Sequence, residues 1–104
     1  MRVLVIIEPG PVSPPPEAVL GLLEAFKGWR DRWRSKMEMF EFFAGVNGGW
    51  GVFNTTDEVE LSQVMMEYPF APFSAIQVRP TVNGDDALTR TTETIKQMMA
   101  AMGG

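Results

Sequence analysis

The 104 residues include no histidine and no cysteine, so any chemistry must run on carboxylates, Lys, Arg, Tyr, Trp or Asn, or on the substrate itself. Those two absences remove the commonest general base, the Ser-His-Asp triad, cysteine nucleophiles, thiolate zinc sites, iron–sulfur clusters and the usual haem ligand. Glu41 is the carboxylate with most to offer. In residues 37–44, Met37, Met39, Glu41 and Phe43 alternate with Glu38, Phe40, Phe42 and Ala44. A carboxyl among apolar side chains on one strand face has its pKa raised towards the range useful for acid–base work. Its structural alternative is a glutamate satisfied by Arg79 on the neighbouring strand, and in a reaction the same Arg79 would stabilise an anion. Glu8 ends the first apolar strand, a place where side chains line pockets or solvate turns. Trp50, Phe53, Tyr68, Phe70 and Phe73 are rings that can wall a flat hydrophobic ligand or pack as plain core. No metal ion and no organic cofactor is called for.

Two louder patterns carry less. Gly45-Val46-Asn47-Gly48-Gly49-Trp50-Gly51 resembles a phosphate-binding loop, but the dinucleotide spacing counted from Gly49 puts Asn54 where its third glycine belongs. The next element is a strand rather than a helix, and no Gly-Lys-Ser/Thr follows, so the stretch reads as a hairpin. Lys27, Arg30, Arg32, Arg34 and Lys36 place five of the nine basic residues within ten positions, beside Trp29 and Trp33. Such a patch can bind nucleic acid. Positive charge also suits a helix C-terminus, and a net charge of −4 argues against nucleic acid as a partner.

These residues need elements to position them. Residues 3–7, Val-Leu-Val-Ile-Ile, form a short β-branched run stopped by Pro9-Gly10, as expected of a central strand buried on both faces. Five apolar residues are too few for a secretion signal or a membrane span, so a cytoplasmic protein without membrane contact is expected. Pro16 starts a helix whose apolar positions Val19, Leu22, Leu23, Phe26, Trp29 and Trp33 recur at steps of three and four. Residues 37–44 and 50–54 then pair through the Asn47-Gly48 turn. Thr55-Thr56-Asp57-Glu58 reads as a capping box for a helix ended by Pro69. Residues 74–82 are a fourth strand, placed at an edge by Pro80. Asn83-Gly84 turns into a last helix with Leu88, Thr91, Ile95, Met98 and Met102 on one side.

Strand, helix, strand, strand, helix, strand is the order of the ferredoxin-like α+β fold, here a single domain over residues 1–104 with an extra C-terminal helix. Helices cover one face of such a sheet. Both faces of the first two strands are apolar, so leaving the other face in water would cost several kcal/mol at roughly 25 cal/mol per Å². A second copy, sheet against sheet, is the simplest cover, making a homodimer. The alternative is the last helix folding over the face within one chain.

Across residues 45–82 lie a Gly-rich hairpin, Trp50-Gly51-Val52-Phe53, a capped helix, Tyr68-Pro69-Phe70-Ala71-Pro72-Phe73 and a strand ending Val78-Arg79-Pro80. This half resembles the dimeric α/β-barrel superfamily, and within it is similar to the muconolactone isomerase-like group and to related small uncharacterised bacterial proteins. The resemblance implies a homodimer that holds a small aromatic, quinone or lactone-like ligand between sheet and helices. It also implies cofactor-free isomerase or cyclase chemistry by proton transfer; the residues' own types and placement nominate Glu41 as acid/base, Arg79 as anion stabiliser, and Trp50, Phe53, Tyr68, Phe70, Phe73 and Glu8 around the substrate. Cofactor-free monooxygenase activity is a further branch of the same superfamily. A non-catalytic accessory domain, its interior filled by its own side chains, is the competing expectation.

Overall fold

The computed structural model describes residues 1–103. The elements are β1 (Arg2–Pro9), α1 (Val19–Trp33), β2 (Met37–Phe42), β3 (Gly49–Asn54), α2 (Glu58–Met66), β4 (Ser74–Thr81) and α3 (Gly84–Gly103). One antiparallel sheet has the order β2-β3-β1-β4. This is the expected ferredoxin-like α+β arrangement, with β1 central, β4 at an edge and a third helix added. Pro16 opens a single 3-10 turn, and α1 proper begins at Val19.

Strand alternation divides the sheet into two faces. Val3, Val5 and Ile7 of β1 are buried with Phe53 of β3 against Phe26, Trp29 and Trp33 of α1, Val64 of α2 and Tyr68. Their neighbours Leu4, Ile6, Trp50 and Val52 lie on the other face, which no helix covers. The two helices are joined through indoles. Trp29 Nε1 donates to the Val64 carbonyl at 2.9 Å, and Trp33 Nε1 donates to Glu67 Oε2 at 3.0 Å. Each indole N–H, on its buried side chain, is thereby satisfied.

Two local readings are corrected by the structure. A bulge between Met37 and Met39 puts an extra residue into β2. Met37, Phe40 and Phe42 therefore share the helix side, whereas Met39 and Glu41 stand on the open face. Strict alternation had grouped Met37 with Glu41, because a bulge resets the period without leaving a mark in the pattern. The cap of α2 is also displaced. Asp57, not Thr55, accepts from the Glu60 amide at 2.9 Å, while Glu60 Oε1 accepts from the Thr56 amide at 2.9 Å. Those hydrogen bonds hold the Glu60 carboxyl below the usual range, the Thr56 amide first and the Lys36 ammonium next. The Thr55 hydroxyl is instead buried with no hydrogen-bond partner.

The last helix does not fold over the open face. Asn83 caps α3, its side chain accepting from the Asp86 amide at 3.0 Å and its carbonyl from the Ala87 amide at 2.9 Å. Along residues 84–103 every residue except Ala87 is exposed. The chain measures 70 × 27 × 24 Å with a radius of gyration of 18.9 Å, against roughly 13 Å for a compact chain of this length.

Two substitutions separate the true cap from the apparent one. Asp57→Ala should cost about 1 kcal/mol. Thr55→Val removes an unpartnered buried hydroxyl while keeping its shape, and should leave stability unchanged or raise it. Urea midpoints for the two variants check both.

Candidate functional site

A cavity of about 560 Å³ opens between the sheet and the helices, at the end of β1 that carries Ile7–Gly10. Its rings come from three places. α1 brings Phe26, β2 brings Phe40 and Phe42, and the segment between α2 and β4 brings Tyr68, Phe70 and Phe73. Phe26 sits at their centre, 5.7 Å from Phe40, 5.9 Å from Phe42 and 6.3 Å from Phe70 between ring centroids. Those separations suit tilted and edge-on aromatic packing.

The backbone around the cavity is fixed by short-range chemistry. Pro69 stops α2, and a 3-10 turn at Ala71–Phe73 carries the chain back to the sheet. The Gly10 amide donates to the Phe73 carbonyl at 2.9 Å, tying the connector to the end of β1. Gly48 adopts φ +106°, where a side chain would be strained, and a Cβ there would run into the Ile7 carbonyl. A Cβ on Gly51 would lie 2.9 Å from the Phe53 ring and 3.0 Å from Phe40. The glycines of the hairpin thus make room for rings and for close backbone approach.

Polar groups on the lining are few: Glu8, Ser13, Asn47, Tyr68 and Ser74. Tyr68 is the most altered of them. Burial pushes its phenol above the ordinary 10.0, and a hydrogen bond with the Ser74 side chain opposes the rise. Ser74 Oγ donates to the Phe70 carbonyl at 2.8 Å. A protonated phenol in an aromatic pocket can donate to a ligand carbonyl or phenolate oxygen.

Of the residues singled out from the sequence, Glu8, Tyr68, Phe70 and Phe73 line this cavity. Phe53 lies fully buried in the core. Trp50 stands half-buried on the opposite, open face. Glu41 is exposed rather than partly buried, and Arg79 is exposed as well. They occupy β2 and β4, the two outer strands, with β3 and β1 between them, so they are not neighbours within the chain. Neither lines the cavity. Phe26, Phe40, Phe42, Asn47 and Ser74 were missed. Phe40 and Phe42 were visible as alternating rings, but only the bulge reveals which face they share.

No protein-family model matches the chain, and no curated protein matches it. Solved structures do. A muconolactone isomerase superposes with a TM-score of 0.69 at 23% identity, over 80% of this chain and 90% of that one. A 5-chloro-2-hydroxyhydroquinone dehydrochlorinase from Burkholderia phenoliruptrix AC1100, in complex with 2,5-dihydroxybenzoquinone, superposes with a TM-score of 0.65 at 16% identity, over 83% and 98%. This chain therefore has the ferredoxin-like fold of those enzymes.

The raised Tyr68 pKa has a pH consequence with a definite sign. The folded protein holds the phenolic proton more tightly than the unfolded chain does. Its contribution is complete below pH 10.0 and is lost as pH climbs through the folded value. Thermal melts from neutral pH to above pH 10.0 should show wild type losing stability faster than Tyr68→Phe in the alkaline limb.

Proposed function

We propose that this protein binds a small, flat, cyclic compound bearing carbonyl or hydroxyl oxygens, of the aromatic, quinone or lactone class, and does so as a homodimer. The observation that carries the reading is the cavity walled by Phe26, Phe40, Phe42, Tyr68, Phe70 and Phe73. Ring faces and edges favour a planar ligand by dispersion and quadrupole contacts, while isolated polar groups fix its orientation. Its volume lies within the range of small-molecule sites. A self-filled accessory domain would have no such space beside Phe26. The two structural neighbours, a muconolactone isomerase and a dehydrochlorinase bound to 2,5-dihydroxybenzoquinone, support the same ligand class.

Proton transfer is the chemistry open to such a site without a cofactor. Tyr68 is the titratable side chain that lines the cavity from the core side, so proton donation to a bound ring falls to it rather than to Glu41 and Arg79; Glu8 lies at the cavity's edge, its side chain on the open face with Leu4 and Ile6. The homodimer is supported by the open face. Leu4, Ile6 and Trp50 are half-buried with no helix packed over them, and α3 does not fold onto that face.

Titrating 2,5-dihydroxybenzoquinone into the full chain, followed by calorimetry and tryptophan fluorescence, tests the pocket. Saturable binding should weaken about tenfold in Tyr68→Phe, the loss of one hydrogen bond to a charged or polarised oxygen. Glu41→Gln should leave it unchanged. Equal binding in wild type and in Phe26→Trp, which fills the space, would remove the proposal.

A further inference from the structure

The lining of the cavity carries no positive charge. Among the described residues that form it there is no Lys or Arg, and the one charged residue, Glu8, lies at the edge. The chain has nine basic residues, and the fold carries them elsewhere. α1 starts beside the cavity at Val19 and runs away from it, so its basic last turn, with Arg30 and Arg32, lies at the far end. Arg2 pairs with Thr81, and Arg79 with Leu4, at the end of β1 opposite the cavity. Arg90 and Lys96 stand on α3, which departs from that same end. Lys27, Arg32 and Lys36 are moreover held by Glu24, Glu67 and Glu60, at 3.2, 3.2 and 3.1 Å.

The start of a helix is the other source of positive potential beside a cavity. At the start of α1 its donors are already engaged. Pro16 carries no N–H, the Ala18 amide donates to the Pro15 carbonyl at 2.9 Å, and the Val19 amide donates to the Pro16 carbonyl. Glu17 adds a negative charge in the same turn. What the lining offers to a ligand's oxygens is a set of neutral groups: the Tyr68 phenol, the Asn47 amide, and the Ser13 and Ser74 hydroxyls.

We infer that the cavity selects an uncharged ring and rejects one that carries a carboxylate, which narrows the ligand class to neutral phenols, quinones and lactones. This rests on the proposed pocket and adds its charge selectivity. A carboxylate placed among Phe26, Phe40, Phe42 and Phe70 loses its water and meets no cation in exchange. A neutral carbonyl or hydroxyl loses far less, and one hydrogen bond from Tyr68 or Asn47 offsets that loss. Glu8 at the edge and a net charge of −4 oppose the approach of an anion as well. The selection acts on the ligand as it binds. An oxygen that gains charge only while a proton leaves the ring still has the Tyr68 phenol as its donor.

Salicylamide and salicylate share a hydroxylated ring and differ by one charge at neutral pH, so calorimetry of both with the full chain tests the selectivity. Salicylamide should bind at least about tenfold more tightly than salicylate. The acidic dihydroxybenzoquinone should likewise bind more weakly than its uncharged dimethyl ether. Val46→Lys and Ser13→Lys each place an ammonium on the lining at an exposed position, and circular dichroism verifies that both variants fold. Each should raise salicylate affinity and so narrow the gap. Salicylate bound by the wild type as tightly as salicylamide, or a gap that neither lysine narrows, overturns the charge selectivity and leaves the pocket standing. Failure of both uncharged probes to bind overturns the pocket itself.

Discussion

The body of this protein is organised around the indole of Trp29. Its N–H is bonded to the Val64 carbonyl of α2. Its ring packs 4.9 Å from Tyr68, 5.8 Å from Phe26, 6.0 Å from Phe40 and 6.2 Å from Phe53. One side chain thus touches both body helices, two strands and the connector that leads into β4. The cavity lies beyond that contact: Phe26 and Phe40 turn one side towards Trp29 and the other towards open space. A large residue at position 29 fixes rings that would otherwise collapse into the volume a ligand needs, because a core at native density tolerates voids only where rigid neighbours hold them open.

Much of the architecture was legible in the sequence because it depends on short-range patterns. The five apolar residues of β1, the three- and four-residue spacing on α1 and the break at Pro69 each have a local physical cause, and each reappears in the structure; the turn expected at Asn47-Gly48 does not, because β2 and β3 are joined by a longer loop over residues 43–48 that turns at Ala44 and Gly45. The failures share another origin. Nothing in residues 37–44 shows that the strand carries a bulge, because a bulge is settled by its partner strand. That one insertion moves Met37 to the helix side and leaves Glu41 out on the open face. Placing Glu41 beside Arg79 failed for a related reason, since strand order is set by long-range pairing that no local spacing encodes. The cap at Asp57 was one of several acceptors within four residues, and the geometry of the chain entering α2 chose among them.

A chain without histidine or cysteine has to make its reactive groups by environment. Glu38 and Glu60 show the cheapest form of that control: hydrogen bonds hold both carboxyls below the usual range, with Arg2 the main partner of the first and the Thr56 amide of the second. Both are fixed in the charged form and serve structure. Tyr68 is treated in the opposite way. Aromatic neighbours remove water from its phenol and keep it protonated, so over the physiological range it is a donor. Such a donor suits a ligand oxygen that gains negative charge, as the oxygen of an enolising ring does when a proton leaves the adjacent carbon.

β1 and β3 form a wall one strand thick between two surfaces of different purpose. Val3, Val5 and Ile7 face the aromatic body, and Ile7 reaches the cavity, while Leu4 and Ile6 face outwards. Because alternation is strict within β1, moving its register by one residue would exchange the two sets and expose the core-facing valines. That constraint explains why β1 is apolar at every position from Val3 to Ile7 although only one face belongs to the core. A strand required on a single face would alternate with polar residues. The unbroken apolar run therefore leaves a second apolar face that the helices do not cover.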